Sequence, residues 1–221
     1  MDQYLHFDDY RRASFLDHFI AEATDLESFR KCQYREEGDF IGEPYGIELR
    51  REGKRPEIFF SRSGSLLSDG KRDPIKIEKS FSLHTRGKTT SASYQIAYGG
   101  EKRKTNFGIE LNINLLAGDA PDRYYDIRGH QLEDRRLASM GELEDVSEIQ
   151  LVDEWIGMKV VLKTDRNCNL WRFPVETVSL SESGFERIYQ GSCLLLWWPL
   201  DLEPGRQFEF NIELGIQRLQ K

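Results

Sequence analysis

The chain has 221 residues, 38% of them hydrophobic and 12% aromatic, with 31 basic against 38 acidic side chains for a net charge of −7. That length suits one large β-sandwich as well as two small domains, and no apolar run approaches the roughly 20 residues of a membrane-spanning helix. An acidic field slows association with polyanions. The basic runs Arg11-Arg12, Arg50-Arg51 with Lys54-Arg55, and Lys102-Arg103-Lys104 lie beside glycines or acidic residues, so neither nucleic acid nor a membrane is an expected partner.

Residues 1–37 read as a helical lead-in to a single domain over 1–221. The start, MDQYLHFDDYRR, lacks a basic stretch followed by an apolar run and a cleavage site, so with Met1 as the native start the expected location is cytoplasmic. Phe15, Leu16, Phe19 and Ile20 recur at helical spacing behind Ser14 as a cap. A weaker pattern of Leu26, Phe29 and Cys32 follows Asp25, before a turn at Glu36-Glu37-Gly38-Asp39.

After that turn the pattern changes to strands at 46–52, 57–62, 75–84, 91–98 and 107–116, separated by Gly, Pro, Asp and Ser. In 107–116 the apolar positions Phe107, Ile109, Leu111, Ile113 and Leu115 alternate with Gly108, Glu110, Asn112 and Asn114, which predicts one core face and one wet face. Gly99-Gly100 reads as a hairpin turn and 119–148 as a long polar loop. Strands resume at 149–153, 157–164, 168–182, 185–198 and 207–219, with a hairpin turn at Ser183-Gly184. In the last of them Phe208, Phe210, Ile212, Leu214 and Ile216 share a face. Antiparallel neighbours with little helix predict an all-β fold, a large antiparallel two-sheet sandwich with a short N-terminal helix.

Chemistry-bearing motifs are sparse. Cys32, Cys168 and Cys193 are an odd count without ligand spacing, and His6, His18, His84 and His130 form no paired-ligand motif, so no metal and no cofactor is expected. His18 reads as a packing residue with one satisfied nitrogen. No Gly-x-Ser-x-Gly elbow or phosphate-binding loop is present. Glu110, Glu176, Glu182 and Glu186 are candidate carboxylates whose approach to the roughly 5–10 Å used in glycoside chemistry depends on the fold. Trp197 and Trp198 point to opposite faces of one strand, so one of them meets a partner, a ligand or the N-terminal helix, and Trp155 and Trp171 carry the same ambiguity.

The block Trp171–Gly191, WRFPVETVSLSESGFERIYQG, resembles the signature of the C-terminal domain of family-57 glycoside hydrolases, the α-amylase and 4-α-glucanotransferase group. Three further blocks are similar in the same order: Arg12–Phe19 (RASFLDHF), Gly38-Asp39-Phe40, and Phe107–Asn112 (FGIELN). The resemblance implies a galactose-mutarotase-like supersandwich packed against a catalytic barrel that this sequence does not contain. It therefore implies a non-catalytic accessory domain of an enzyme of glucan metabolism, with no catalytic residue in this chain; the sequence leaves open a scaffold that only supports the barrel and a module that also binds α-glucan or maltooligosaccharide.

The expected sugar surface is the wet face of 107–116 with Glu110 and Asn112, beside Trp171 and Glu182. Carboxylate and amide groups there match the paired donors and acceptors of hydroxyls. A second reading stays open, a freestanding mutarotase-like sugar-binding or sugar-epimerising protein in which Glu110 is the base and His84 or His130 the acid.

Overall fold

The computed structural model describes residues 7–52, 55–68, 70–84, 88–181 and 184–219. Eleven strands and one short helix follow in the order β1 (Leu16–Ile20), α1 (Leu26–Arg30), β2 (Gly46–Glu52), β3 (Arg55–Ser68), β4 (Lys71–His84), β5 (Thr89–Tyr98), β6 (Arg103–Ile113), β7 (Arg123–Ile127), β8 (Gly141–Asp153), β9 (Met158–Ser181), β10 (Gly184–Leu202) and β11 (Gln207–Arg218). All named pairings are antiparallel.

The two expected layers are one hydrogen-bonded sheet folded over itself, in the order β1-β6-β10-β9-β11-β5-β4-β3-β2, with β8 and then β7 on the far edge of β9. The fold lies in β9. Its first half, Met158–Thr164, pairs with β11, and its second, Asn169–Ser181, pairs with β10. β8 follows it round the corner through two register shifts between Leu143 and Glu148, and Asp145 within them takes a left-handed φ of 56°. The layers meet through aromatic rings: Phe210 of β11 stands 5.3 Å from Phe107 of β6 and 4.7 Å from Trp198 of β10, between ring centroids. This main core takes the even positions Leu194–Leu202 of β10 and the alternating apolar face of β11.

The odd positions of β10 face outward. Cys193, Leu195 and Trp197 join Trp171, Phe173, Ile20 and Phe29 in a second, smaller core. The lead-in and α1 cover it, with Phe29 of α1 against Trp171 and Phe173 at 5.8 and 6.1 Å. Trp197 and Trp198 thus serve the two cores separately, as their adjacency predicts.

Three local expectations are corrected. The helical spacing at Phe15–Ile20 belongs to strand β1, paired with β6 from Leu16 opposite Glu110 to Ile20 opposite Asn106. Phe19 enters the main core and Ile20 the smaller one, and a strand buried on both faces loses its alternation and mimics a helix in sequence. The helix is instead the weaker pattern: the Asp25 carboxylate accepts from the Ser28 amide at 2.7 Å and caps α1. Gly99-Gly100 is a crossover between layers, since β5 pairs with β4 and β11 while β6 pairs with β1 and β10. The polar loop at 119–148 contains β7 and the start of β8. The β9–β10 hairpin closes with Ser181 opposite Gly184, and Glu182 and Ser183 lie outside the described residues.

Candidate functional site

The expected wet face of β6 is sealed. Glu110 is fully buried, and Trp171 is 4% exposed with its ring against Phe29 and Trp197. The cause is the lead-in, which crosses the outer face of β6 and adds a third layer over residues whose pattern is amphipathic. Gly108 helps it close: a Cβ there would stand 2.9 Å from Leu195 Cδ1 and 3.5 Å from His18 Cβ.

Glu110 is the centre of a buried polar cluster. Its Oε2 accepts from Tyr10 Oη at 2.6 Å, His18 Nε2 at 3.2 Å and Arg12 Nη1 at 3.4 Å, and its Oε1 accepts from Asn112 Nδ2 at 2.7 Å. His18 bridges to a second carboxylate, Glu36 Oε2, through Nδ1 at 3.0 Å. Glu36 also takes the Phe19 amide at 2.6 Å and the Tyr34 hydroxyl at 3.3 Å. Arg12 continues to Asp8 at 2.8 Å and the Arg30 carbonyl at 3.2 Å, which ties the lead-in and α1 to the sheet.

Burial opposes charge on His18, but the hydrogen bonds to Glu110 and Glu36 and their negative charges overcome it and push the imidazole up to about 9. Burial would raise Glu110, and the hydrogen bond and charge of His18, then the Arg12 charge, hold it below the usual carboxylate range. Burial beside Glu110 keeps Tyr10 protonated as a donor, and burial likewise keeps Cys193 a thiol. The arrangement is an ion network with its protons fixed, suited to fastening a layer.

The other candidates fall elsewhere. Asn112 is half-buried and donates to the Ala13 carbonyl at 2.8 Å, while Ser14, expected as a helix cap, clasps the Asn112 backbone at 3.0 Å. His84 sits at the end of β4, bonded to Ser91 at 2.8 Å, and His130 lies in the turn after β7, so neither meets Glu110. Glu176 pairs with Arg187 at 2.5 Å, and Glu186 is exposed on β10. Glu182 lies outside the described residues. A cleft of about 450 Å³ opens near this region, lined by Asp8, Arg12, Phe173, Val175, Glu176 and Arg187. Among the described residues no cluster of His, Cys, Asp or Glu is placed to hold a metal ion, and no helix is long and apolar enough to cross a membrane.

The partner of Glu110 is His18, which sequence reasoning gave a packing role with one satisfied nitrogen. Tyr10 and Tyr34 escaped that reasoning, and Glu36 entered it only as a turn residue. The available signal was Asp17-His18 inside the Phe15–Ile20 run, where a titratable group among apolar neighbours is retained only if it is paired.

A folded antiparallel sheet with an extra N-terminal layer is a fold shared with galactose mutarotase-like proteins. A galactose mutarotase-like protein of Clostridium acetobutylicum superposes with a TM-score of 0.58 at 9% identity over 93% of this chain and 79% of that one. The chain itself belongs to the α-amylase/4-α-glucanotransferase C-terminal family, whose model matches residues 1–212. It is 31% identical to α-amylase 1 of Dictyoglomus thermophilum over 98% of its own length and 30% of that protein's. Against the 4-α-glucanotransferase of Thermococcus litoralis it is 27% identical, over 94% and 27% respectively. The crystal structure of the Thermococcus litoralis 4-α-glucanotransferase superposes with a TM-score of 0.77 at 26% identity, covering 97% of this chain and 29% of that one. The chain spans less than a third of the length of these relatives.

Proposed function

We propose that this domain is a non-catalytic accessory unit of an α-glucan-processing enzyme, joined to a catalytic barrel that it supports, with α-glucan as its ligand. One observation carries the reading. The chain's Glu–His pair, Glu110 with His18, is buried on both sides and hydrogen-bonded to structural neighbours. A base and acid for sugar ring opening must reach the substrate, and this pair is closed to it. The relatives are named as α-amylases and 4-α-glucanotransferases, and the chain matches under a third of their length, which supports a larger parent enzyme. Three cysteines without disulfides fit residence in a reducing compartment, the cytoplasm.

The test is to incubate the pure chain with maltooligosaccharides. Neither reducing-sugar release, which reports hydrolysis, nor a redistribution of oligosaccharide lengths, which reports transfer, rises above the buffer rate, and either one, if sustained and abolished by a carboxylate substitution in this chain, refutes the reading.

A further inference from the structure

The cleft of about 450 Å³ beside the buried ion network has two walls of different origin. The lead-in and α1 form one, with Asp8, Arg12, Glu27, Arg30 and Lys31. The other is a ribbon of β9 and β10. Beyond Arg172, where the pairing of β8 stops, and Ser192, where that of β6 stops, these two strands pair only with each other among the described residues, from Val175 opposite Gly191 to Ser181 opposite Gly184. The ribbon therefore stands clear of the sheet and turns Val175, Glu176, Val178 and Arg187 toward the cleft. The first wall is anchored through Arg12, which reaches Glu110 at 3.4 Å and the Arg30 carbonyl at 3.2 Å.

The ion pairs fix these side chains and still leave acceptors open. Arg187 donates through Nε at 3.0 Å and Nη2 at 2.5 Å to one oxygen of Glu176, Oε2, so Oε1 carries no hydrogen bond among the described residues. Arg12 Nε holds Asp8 Oδ1 at 2.8 Å, and Oδ2 is likewise without a bond among them. Neither carboxylate is sealed: the Glu176 side chain is 20% exposed and that of Asp8 41%. Lys31 supplies the donor, since Nζ holds Glu27 at 2.8 Å and has further protons to give. Glu27 stays ionised, held down to about 2 by the hydrogen bonds of Arg30 and then Lys31. Between the charged groups the lining is aliphatic, with Pro174, Val175, Val178 and the exposed Met140.

These groups select a ligand by charge and by hydrogen bonding. The cations Arg12, Arg30, Lys31 and Arg187 are matched by Asp8, Glu27 and Glu176 in the lining and by Glu110 behind Arg12. An anion meets the open oxygens of Asp8 and Glu176, and a cation meets Lys31 and the arginines, so an uncharged ligand is favoured. A carboxylate only accepts and an ammonium only donates, so that ligand must both donate and accept, as a hydroxyl does, while its C–H faces lie on Val175, Val178 and Met140. We propose that this cleft is an oligosaccharide subsite that takes a short stretch of α-glucan. The choice of α-glucan rests on the accessory-domain reading, and the site itself rests on the reachable oxygens of Glu176 and Asp8, on Lys31 and on the aliphatic floor.

Amide-resolved NMR titration of the whole chain with maltohexaose, and separately with cellohexaose and with inorganic phosphate, tests it. Maltohexaose produces saturable shifts confined to residues 8–12, 27–31, 138–140, 173–178 and 187, and phosphate produces none. Glu176→Ala, which removes an open acceptor from a partly exposed position, weakens maltohexaose binding at least tenfold with the spectrum otherwise unchanged, and Lys31→Ala weakens it as well. Absence of shifts, or unchanged affinity in either variant, overturns the proposal. Saturable phosphate shifts at the same residues overturn it in favour of an anion site. Maltohexaose shifts confined to another surface overturn this site while glucan binding stands, and equal affinity for cellohexaose overturns the α-glucan assignment. Reducing-sugar release or a redistribution of oligosaccharide lengths by the pure chain is the separate result that removes the accessory reading.

Discussion

Glu110→Ala removes the shared anion of the buried cluster. His18, held up to about 9, and Arg12 then face the apolar second core with only Glu36 and Asp8 as counter-charges. Removing one partner of a buried ion pair costs about 3–5 kcal/mol. In a domain of this size each kcal/mol lowers Tm by about 2–4 °C, so a fall on the order of 10 °C is expected. The sign of the pH dependence follows from the two shifts. His18 is raised, so its contribution is complete below about 6.5 and is lost as pH rises through about 9. Glu110 is depressed, so its contribution is present above 4.5 and is lost as pH falls through its lower folded value. Stability is therefore highest at weakly acidic pH and declines toward pH 9, by roughly 3 kcal/mol from His18 alone at 1.36 kcal/mol per pH unit. Urea unfolding of wild type, Glu110→Ala and Glu110→Gln from pH 4 to 10, with His18 followed by NMR, measures this. In Glu110→Gln the imidazole titrates lower and the alkaline decline shrinks. A cost under about 1 kcal/mol, the range of an exposed pair, or a wild-type midpoint flat from pH 6 to 10, refutes the reasoning.

Phe29→Ala empties the centre of the second core, where the ring is fully buried against Trp171, Phe173, Tyr34 and His18. A loss of about 3–5 kcal/mol is expected, and it is accompanied by altered tryptophan fluorescence because Trp171 and Trp197 lie in the same cluster. Thiol alkylation separates the cysteines: Cys168 and Cys193 are buried with thiols raised by burial, so native protein modifies at Cys32 alone, and all three react in denaturant. Equal native labelling at Cys193 contradicts the sealed outer face of β10. Glu176→Ala breaks a partly exposed pair with Arg187 and shifts stability by no more than about 1 kcal/mol in urea.

The alternation Phe208, Phe210 and Ile212 was enough to predict a strand with one core face, because period two is a property of the backbone and needs no partner. The opposite orientations of Trp197 and Trp198 and the antiparallel fold class were legible for the same local reason. What covers a strand's second face is not local. Glu110 on β6 reads as wet because its sequence neighbours alternate correctly, and it is buried because Tyr10 and Arg12 of the lead-in and His18 of the neighbouring strand β1, about 100 residues away in the chain, close round it. The same long-range cover turns the Phe15–Ile20 spacing into strand β1, since burial from both sides removes the alternation by which a strand is recognised. Fold class follows from periodicity along the chain, and the fate of a carboxylate follows from what the tertiary structure lays over it.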